Sequence, residues 1–462
     1  MTRQLSVAFK HAQTVRQLLT QSAPNSVVQV NGWVKSLRLQ KRIGFAMISD
    51  GTCAQNLQVV FPDPSLPRKI SNGASVRITG KLTESPGKGQ DKEFVATSLE
   101  VLGDCDPETY PIQKQALTTE YLREHAHLRP RAAGPAAVLR LRNTVMRATQ
   151  GFFDGHDFCY THTPITTTND AEGAGETFRI APMADDQGVA HDFFGSPAFL
   201  TVSSQLHLEA AANALARVWT LSPCFRAERS QTNRHLAEFW MLEAEWAFTH
   251  NIHDVCDGVE DMIKDILRAT LDSSDAALLW KEGDTLRRSH LEPVAGEARW
   301  ARMPYTDAID VLAAHAVANP GYFKFAPEWG RQLQSEHERW LAEEHIHGPV
   351  FVTDYPASLK PFYMRANGDG RTVACFDLLV PGVGELVGGS LREERADLLE
   401  RALQSHGLDL ETYGWYLDLR KYGGAPHGGF GLGFERLISW ISGIENVREC
   451  IAFPRWSGRM LL

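Results

Sequence analysis

A chain of 462 residues exceeds one ordinary core and predicts two or more domains, each able to fold on buried apolar surface alone. Its seven cysteines are scattered with no C-x-x-C, which excludes a disulfide framework or a zinc ribbon and fits a reducing compartment. With 47 Lys plus Arg against 56 Asp plus Glu, the net charge of −9 excludes attraction of nucleic acid by the molecule as a whole, so any RNA contact needs a local patch.

The first residues have no apolar core ahead of a small-residue cleavage site, and no later run approaches the length of a membrane span, so the chain reads as cytosolic. Five short β-rich runs follow: Val27 to Val34, Phe45 to Ser49, Leu57 to Phe61, Ser75 to Thr79 and Glu93 to Leu102. Turn pairs such as Asn31-Gly32, Asp50-Gly51 and Asn72-Gly73 punctuate them, a spacing that predicts a small barrel. After Pro107 the texture turns helical and charged, ending in Arg129-Pro-Arg-Ala-Ala-Gly-Pro135, where two prolines and a glycine predict a break.

From Ala136, the residues Val138, Leu141, Val145, Ala148 and Phe152 keep helical spacing, so a helix is expected to end near Gly155, followed by a strand-like Phe158 to Ile165. Further helices are expected over Ser204 to Leu215, His253 to Leu271, Trp329 to Glu344, Glu394 to Leu403 and Phe434 to Ser442. Strands are expected over Val218 to Leu221, Phe239 to Trp246, Val350 to Tyr355 and Val373 to Val380.

Three segments carry chemistry. Cys224 to Trp246 reads as a strand, an arginine-rich loop and a returning strand. Arg226, Arg229 and Arg234 suit charge-assisted hydrogen bonds to phosphate, and Phe239 offers an apolar face to an adenine. An exposed hairpin with ordinary surface charge is the plain alternative. Gly428 to Leu437 is a glycine-rich strand feeding a helix that presents Arg436 early. Its spacing is not that of a dinucleotide fingerprint, and close backbone packing accounts for it as well. Asp377 to Arg392 sets two carboxylates, Asp377 and Glu385, beside glycines that admit a ligand, a pattern suited to Mg2+ bridging ATP phosphates.

In order and spacing, these segments resemble motifs two and three of the class II aminoacyl-tRNA synthetases and the acidic strand between them. The helix from Ala136 with Thr161-His-Thr-Pro164 resembles motif one, which in that family builds the dimer interface. A barrel ahead of the catalytic domain is similar to the aspartate, asparagine and lysine subgroup. Asn169 to Phe178, Phe193 to Pro197, Phe225 to Glu228, Arg234 to Leu236, Gly384 to Arg395 and Phe453 to Arg455 resemble its asparaginyl members.

The resemblance implies an α+β multidomain fold: a five-stranded OB-fold β-barrel that binds the anticodon over 1–105, a hinge over 106–135, and a catalytic antiparallel sheet flanked by helices over 136–462. It implies ATP, Mg2+, L-asparagine, tRNA(Asn) and a homodimer. Arg226 would grip the α-phosphate and the substrate carboxylate, Arg234 and Arg436 the γ-phosphate, and Phe239 would stack on adenine. Glu228, His235, Leu236 and Gly433 would contact ATP, and Asp377 with Glu385 would hold Mg2+. His427 reads as structural.

Choosing asparagine over aspartate means choosing an amide over a carboxylate. Aspartyl enzymes carry a lysine three residues after the glutamine of their Ser-Pro-Gln, whereas Ser203-Ser-Gln-Leu-His-Leu208 has Leu208 there. The resemblance places Glu243 as acceptor for the side-chain NH2 and Arg392 as donor to its carbonyl oxygen. A carboxylate at Glu243 would also repel aspartate. Glu172 and Gln205, with Ser203, would hold the α-amino end, and Leu208 is equally an ordinary core leucine of a helix.

Asn31 to Phe45 concentrates Lys35, Arg38, Lys41 and Arg42 without an acid, which supplies the local patch. Phe45 suits stacking on an unpaired base and Gln58 its edge, by resemblance the central anticodon U, unless Phe45 faces the barrel core. Three other readings compete: a non-discriminating aspartyl enzyme, a tRNA-independent asparagine-forming ligase, and an RNA-binding protein with an inactive synthetase domain. Leu208 and Glu243 argue against the first, the basic patch against the second, and Arg226, Glu385 and Arg436 together against the third.

Overall fold

The structure, a computed structural model, describes residues 13–21, 27–86, 91–113, 116–168, 177–184, 190–229 and 232–462. The chain divides into two compact units, 1–140 with Leu462, and 141–461.

In the first unit, strands Val27–Leu39, Gly44–Ser49, Leu57–Phe61, Ser75–Glu84 and Lys92–Gly103 close into a barrel, the third pairing parallel with the fifth and the other neighbours antiparallel. Period-two alternation sends Val30, Val34, Ile48, Val59, Phe61, Ile78 and Phe94 inward, and the helix Val15–Gln21 adds Val15 and Leu18 to the same core. Gly44, Ala46 and Ile48 are buried, so Phe45 and Met47 lie on the opposite, outer face. The core-facing alternative for Phe45 therefore fails. Cross-strand register pairs Arg38 with Phe45 and Met47 with Gln58, and the Arg38 guanidinium stands 5.9 Å from the Phe45 ring centre.

In the second unit, eight strands form one mixed sheet in the order Ala301–Pro304, Val350–Thr353, Cys375–Val380, Gly384–Leu391, His427–Gly433, Glu238–Ala247, Arg217–Phe225 and Cys159–Tyr160. The pairs at its two ends are parallel and the rest antiparallel. The helix Ile252–Leu271 packs beside the central strands, burying Val255, Val259, Ile263 and Ile266 along one stripe.

Most expected elements form, and the departures have local causes. The long helix begins at Ala133 rather than Ala136, because Gly134 and Pro135 fall in its first turn, where no intrahelical N–H is needed. The helix expected from Trp329 begins only at Ser335, after Gly330 at φ +87° and a cap in which Gln334 N donates to His337 Nδ1 at 3.2 Å. It passes into a π turn over Leu341–His345. Of Phe158 to Ile165, only Cys159–Tyr160 pairs as strand.

Candidate active site

Four adjacent strands build the site. Register places Glu243 opposite Gly431 and Glu245 opposite Gly429, and Gly431 opposite Gly388 on the next strand. Residues two apart share a sheet face, so Met241, Glu243 and Glu245 line up along one side. Of the glycines facing them, Gly429 is required: a Cβ there would lie 2.1 Å from Glu245 Oε2 and 2.3 Å from the Ala244 carbonyl oxygen, whereas one on Gly431 would come no closer than 3.5 Å to any atom. Close backbone packing, the plain reading of the glycine-rich segment, therefore holds at Gly429.

Two cavities share Arg226, Met241, Glu385 and Gly431 and so form one continuous cleft. The first gathers Arg226, Glu228, Arg234, His235 and Leu236 from the hairpin loop, Phe239 from the returning strand, and Glu385, Gly433 and Arg436 from the two other segments. Residues far apart in sequence thus converge on a single concave surface. The Arg226 guanidinium lies 5.5 Å from the Phe239 ring centre. Arg436 donates to the Glu385 carbonyl oxygen at 3.1 Å, with its carboxylate 3.5 Å away, and Arg234 donates to Ser335 Oγ at 2.7 Å. Burial and the nearby Arg436 charge lower the Arg234 pKa against the pull of Glu338, so the cleft concentrates cationic charge.

The second cavity is lined by Ser203, Gln205, Leu208, Glu243, Asp377 and Arg392 among others. Glu243 is held at a helix start: Ser203 Oγ donates to Oε1 at 2.5 Å and Ser204 N donates to Oε2 at 2.9 Å. Arg392 spends Nε and Nη2 on Glu245, at 3.2 and 2.9 Å, and Nη1 on Ser390 Oγ at 2.6 Å. Leu208 packs with Ala212 and Val218 and also reaches the cavity wall, so its core and pocket readings both hold in space.

Asp377 and Glu385 converge over Gly388, where a Cβ would lie 3.7 Å from Asp377 Oδ1 and 3.6 Å from Glu385 Oε1. Two hard carboxylate oxygens at one point fit Mg2+, which takes one or two carboxylates and completes its shell with water and phosphate. Sequence reasoning missed Lys360, whose Nζ donates to Asp377 Oδ1 and Oδ2 at 2.9 and 2.8 Å. It also missed Glu338, which accepts from Glu385 N at 3.2 Å and whose carboxyl is pushed up to about 7 by burial and by the charge of Glu385. Glu172 lies outside the described residues.

Behind the second cavity lies a buried network that was equally unexpected, formed by Glu209, Glu245, Arg392, Tyr416, Arg420 and His427. Its only sequence trace is the four-residue step from Gln205 to Glu209, which sets both on one helix face, and the two-residue step from Glu243 to Glu245.

Residues 118–457 match the family model described as tRNA synthetases class II (D, K and N), and 28–102 match that of the OB-fold nucleic acid binding domain. The chain is 49% identical to the asparagine–tRNA ligase of Desulfotalea psychrophila, covering 96% of this chain and 99% of that protein. It is 45% identical to the Colwellia psychrerythraea asparagine–tRNA ligase, with 93% and 95% covered. Its fold is similar to that of the asparaginyl-tRNA synthetase from Pyrococcus horikoshii solved with asparaginyl-adenylate, at a TM-score of 0.86, 30% identity, and 98% and 100% of the two chains covered. The chain belongs to the class II tRNA synthetases of the D, K and N group, and within it to the asparagine–tRNA ligases.

Proposed function

We propose that the protein activates L-asparagine with ATP, forming asparaginyl-adenylate and pyrophosphate, and transfers the asparaginyl group to tRNA(Asn). The observation that carries this reading is the single cleft whose two cavities join at Arg226 and Glu385, one lined for a nucleotide and the other for a small amino acid. In the reaction, an α-carboxylate oxygen of asparagine attacks the α-phosphorus and pyrophosphate leaves. A terminal ribose hydroxyl of tRNA then attacks the adenylate carbonyl and AMP leaves.

No side chain in this scheme acts as a nucleophile, so rate comes from positioning and charge stabilisation. Arg226, at the junction, holds the α-phosphate against the carboxylate; Arg234 and Arg436 hold the γ-phosphate; Phe239 stacks on adenine. Glu228, His235, Leu236 and Gly433 complete the nucleotide wall. Asp377 and Glu385 would hold Mg2+, which supplies charge neutralisation on the phosphates. Gln205, with Ser203, receives the α-amino end; Glu243 accepts from the amide, and Arg392 donates to its carbonyl oxygen. Glu172 would join Gln205 by resemblance alone.

We read residues 1–105 as the anticodon-binding unit, 106–135 as a hinge and 136–462 as the catalytic domain, with Arg38, Phe45 and Gln58 on the outer barrel face as anticodon contacts. The protein would act as a homodimer through the motif-one helix and the adjoining sheet end, where Tyr160 remains 42% exposed in the single chain. Seven cysteines, none of them in a disulfide, fit a cytoplasmic setting, and among the described residues no helix is long and apolar enough to cross a membrane.

ATP–pyrophosphate exchange with asparagine and with aspartate, followed by tRNA charging, tests the whole scheme. Exchange with asparagine and charging of tRNA(Asn) are expected; exchange driven by aspartate alone would overturn it.

A further inference from the structure

Glu209 is wholly buried on the helix Gln205–Leu215, one helical turn beyond Gln205. Its Oε1 accepts from Gln205 Nε2 at 3.1 Å and from Tyr416 OH at 2.8 Å; its Oε2 accepts from Arg420 Nη2 at 2.8 Å and His427 Nε2 at 2.9 Å. An ionised carboxylate only accepts, so the Gln205 amide must turn its NH2 toward Glu209 and its oxygen away. Gln205 lines the amino-acid cavity, and among the described residues nothing donates to that oxygen.

The protonation state of His427 follows from its neighbours. Nδ1 lies 2.7 Å from the Ala425 carbonyl oxygen and Nε2 lies 2.9 Å from Glu209 Oε2. Both partners are acceptors, so both ring nitrogens carry hydrogen and the ring is an imidazolium. Glu209 stays ionised because Arg420 pairs with it and Arg392 stands 3.9 Å away. Of the other groups around the ring, Glu245 favours the charged form and Arg420 opposes it, while Arg392 N donates to the His427 carbonyl oxygen at 2.9 Å. Burial is the largest single influence and disfavours the imidazolium, but the bond to Glu209 and the charges of Glu209 and Glu245 together outweigh it and raise the His427 pKa.

We propose that Glu209 is a positioning residue for the α-ammonium of asparagine: it fixes the Gln205 amide with its oxygen presented to the substrate, and the His427 imidazolium holds Glu209 in that arrangement. The inference rests on the reading of Gln205 as the α-amino ligand. Glu209 itself touches no substrate. When His427 loses its second proton, one of its two hydrogen bonds is lost, the Gln205 amide is less firmly held, and asparagine binds more weakly.

The test is ATP–pyrophosphate exchange by the full-length protein, with succinamate, which is asparagine without its α-amino group, as a competitive inhibitor. Glu209→Gln gives Gln205 a neighbour that also donates, so its amide can turn round. The KM for asparagine should rise about tenfold, the scale of one charge-assisted hydrogen bond, while the KM for ATP and the Ki of succinamate stay as they are. His427→Gln should hold the KM for asparagine raised and free of the climb that the wild-type value shows as pH rises above about 6.5 through the raised His427 pKa; loss of the substrate's own ammonium at higher pH affects both alike.

An equal rise in the Ki of succinamate or in the KM for ATP would overturn the proposal. So would a wild-type pH profile in the His427→Gln protein, which decides the matter even if Glu209→Gln does not fold. Gln205→Ala separates the two levels. If it weakens asparagine but not succinamate while Glu209→Gln weakens neither, the inference about Glu209 falls alone. If Gln205→Ala leaves asparagine unaffected, the reading of Gln205 falls and this inference with it.

Discussion

Ser203 donates its hydroxyl to Glu243 at 2.5 Å, and the backbone N–H of Ser204, just ahead of the following helix, donates to both oxygens of the same carboxylate at 3.1 and 2.9 Å. Both Glu243 oxygens thereby have fixed donors, and the side chain is held in the wall of the amino-acid cavity although only 4% of the residue is exposed. An acceptor held in place at that depth favours an amide NH2 and repels a second carboxylate.

Glu243→Gln should therefore lower kcat/KM for asparagine at least tenfold, about the scale of one charge-assisted hydrogen bond, and narrow the ratio to aspartate. The KM for ATP should stay near wild type. Exchange kinetics with both amino acids check this, and unchanged ratios would remove Glu243 from the selection.

Lys360→Met should leave Asp377 as a half-buried charge facing Glu385 without its cation, a change worth about 1–3 kcal/mol of stability. Burial, followed by the repulsion of Glu385, pushes the Asp377 carboxyl up despite Lys360. Thermal melting with and without Mg2+ should show a lowered Tm that Mg2+ partly restores in the variant. A Tm indifferent to the substitution would argue against a pair of this strength.

Phe45→Ala should raise the KM for tRNA tenfold or more, because stacking a base is worth about 1–3 kcal/mol, while tRNA-free exchange continues at its normal rate. Loss of both activities together would count against Phe45 as an anticodon contact and for a role in barrel folding.

Stability should depend on pH through Glu209 and His427 in opposite senses. Arg420, His427 and Arg392 overcome burial to hold Glu209 well below the carboxylate range, so its contribution is present above about pH 4.5 and is lost as pH falls toward its folded value. The raised His427 contributes fully below about pH 6.5 and is lost as pH rises through its folded value. The Tm gap between wild type and His427→Gln should thus be widest at about pH 5 to 6 and narrow toward pH 9. A gap independent of pH would mean that folding leaves the His427 pKa unchanged, and one that widens as pH rises would mean that His427 is neutral in the folded protein.

Local pattern carried much of this protein. Alternation marked the barrel strands, and the 3.6-residue period marked the helices from Ile252 and Phe434, because each element needs one face on a core. The residues that line the first cavity were legible because they sit in three continuous segments whose spacing survives as register: once those strands pair, Arg226, Glu385 and Arg436 must meet. Even the outward face of Phe45 is implied by its alternation with Ala46, although its neighbours alone left the face open.

Sequence could not show which buried charges find each other. Glu209 reads as one more polar residue of a helix, and Lys360 as a loop lysine, until packing brings Glu209 to Arg420 and His427 and folds Lys360 onto Asp377. Those partners are far away along the chain, and no local period encodes them. A charge stripped of water must be answered by whichever group the tertiary structure places within about 3 Å, and that placement depends on how whole elements cross. The sequence by itself determined most of the elements, the family and the segments that line the cleft; the tertiary structure decided the buried electrostatics behind its second cavity.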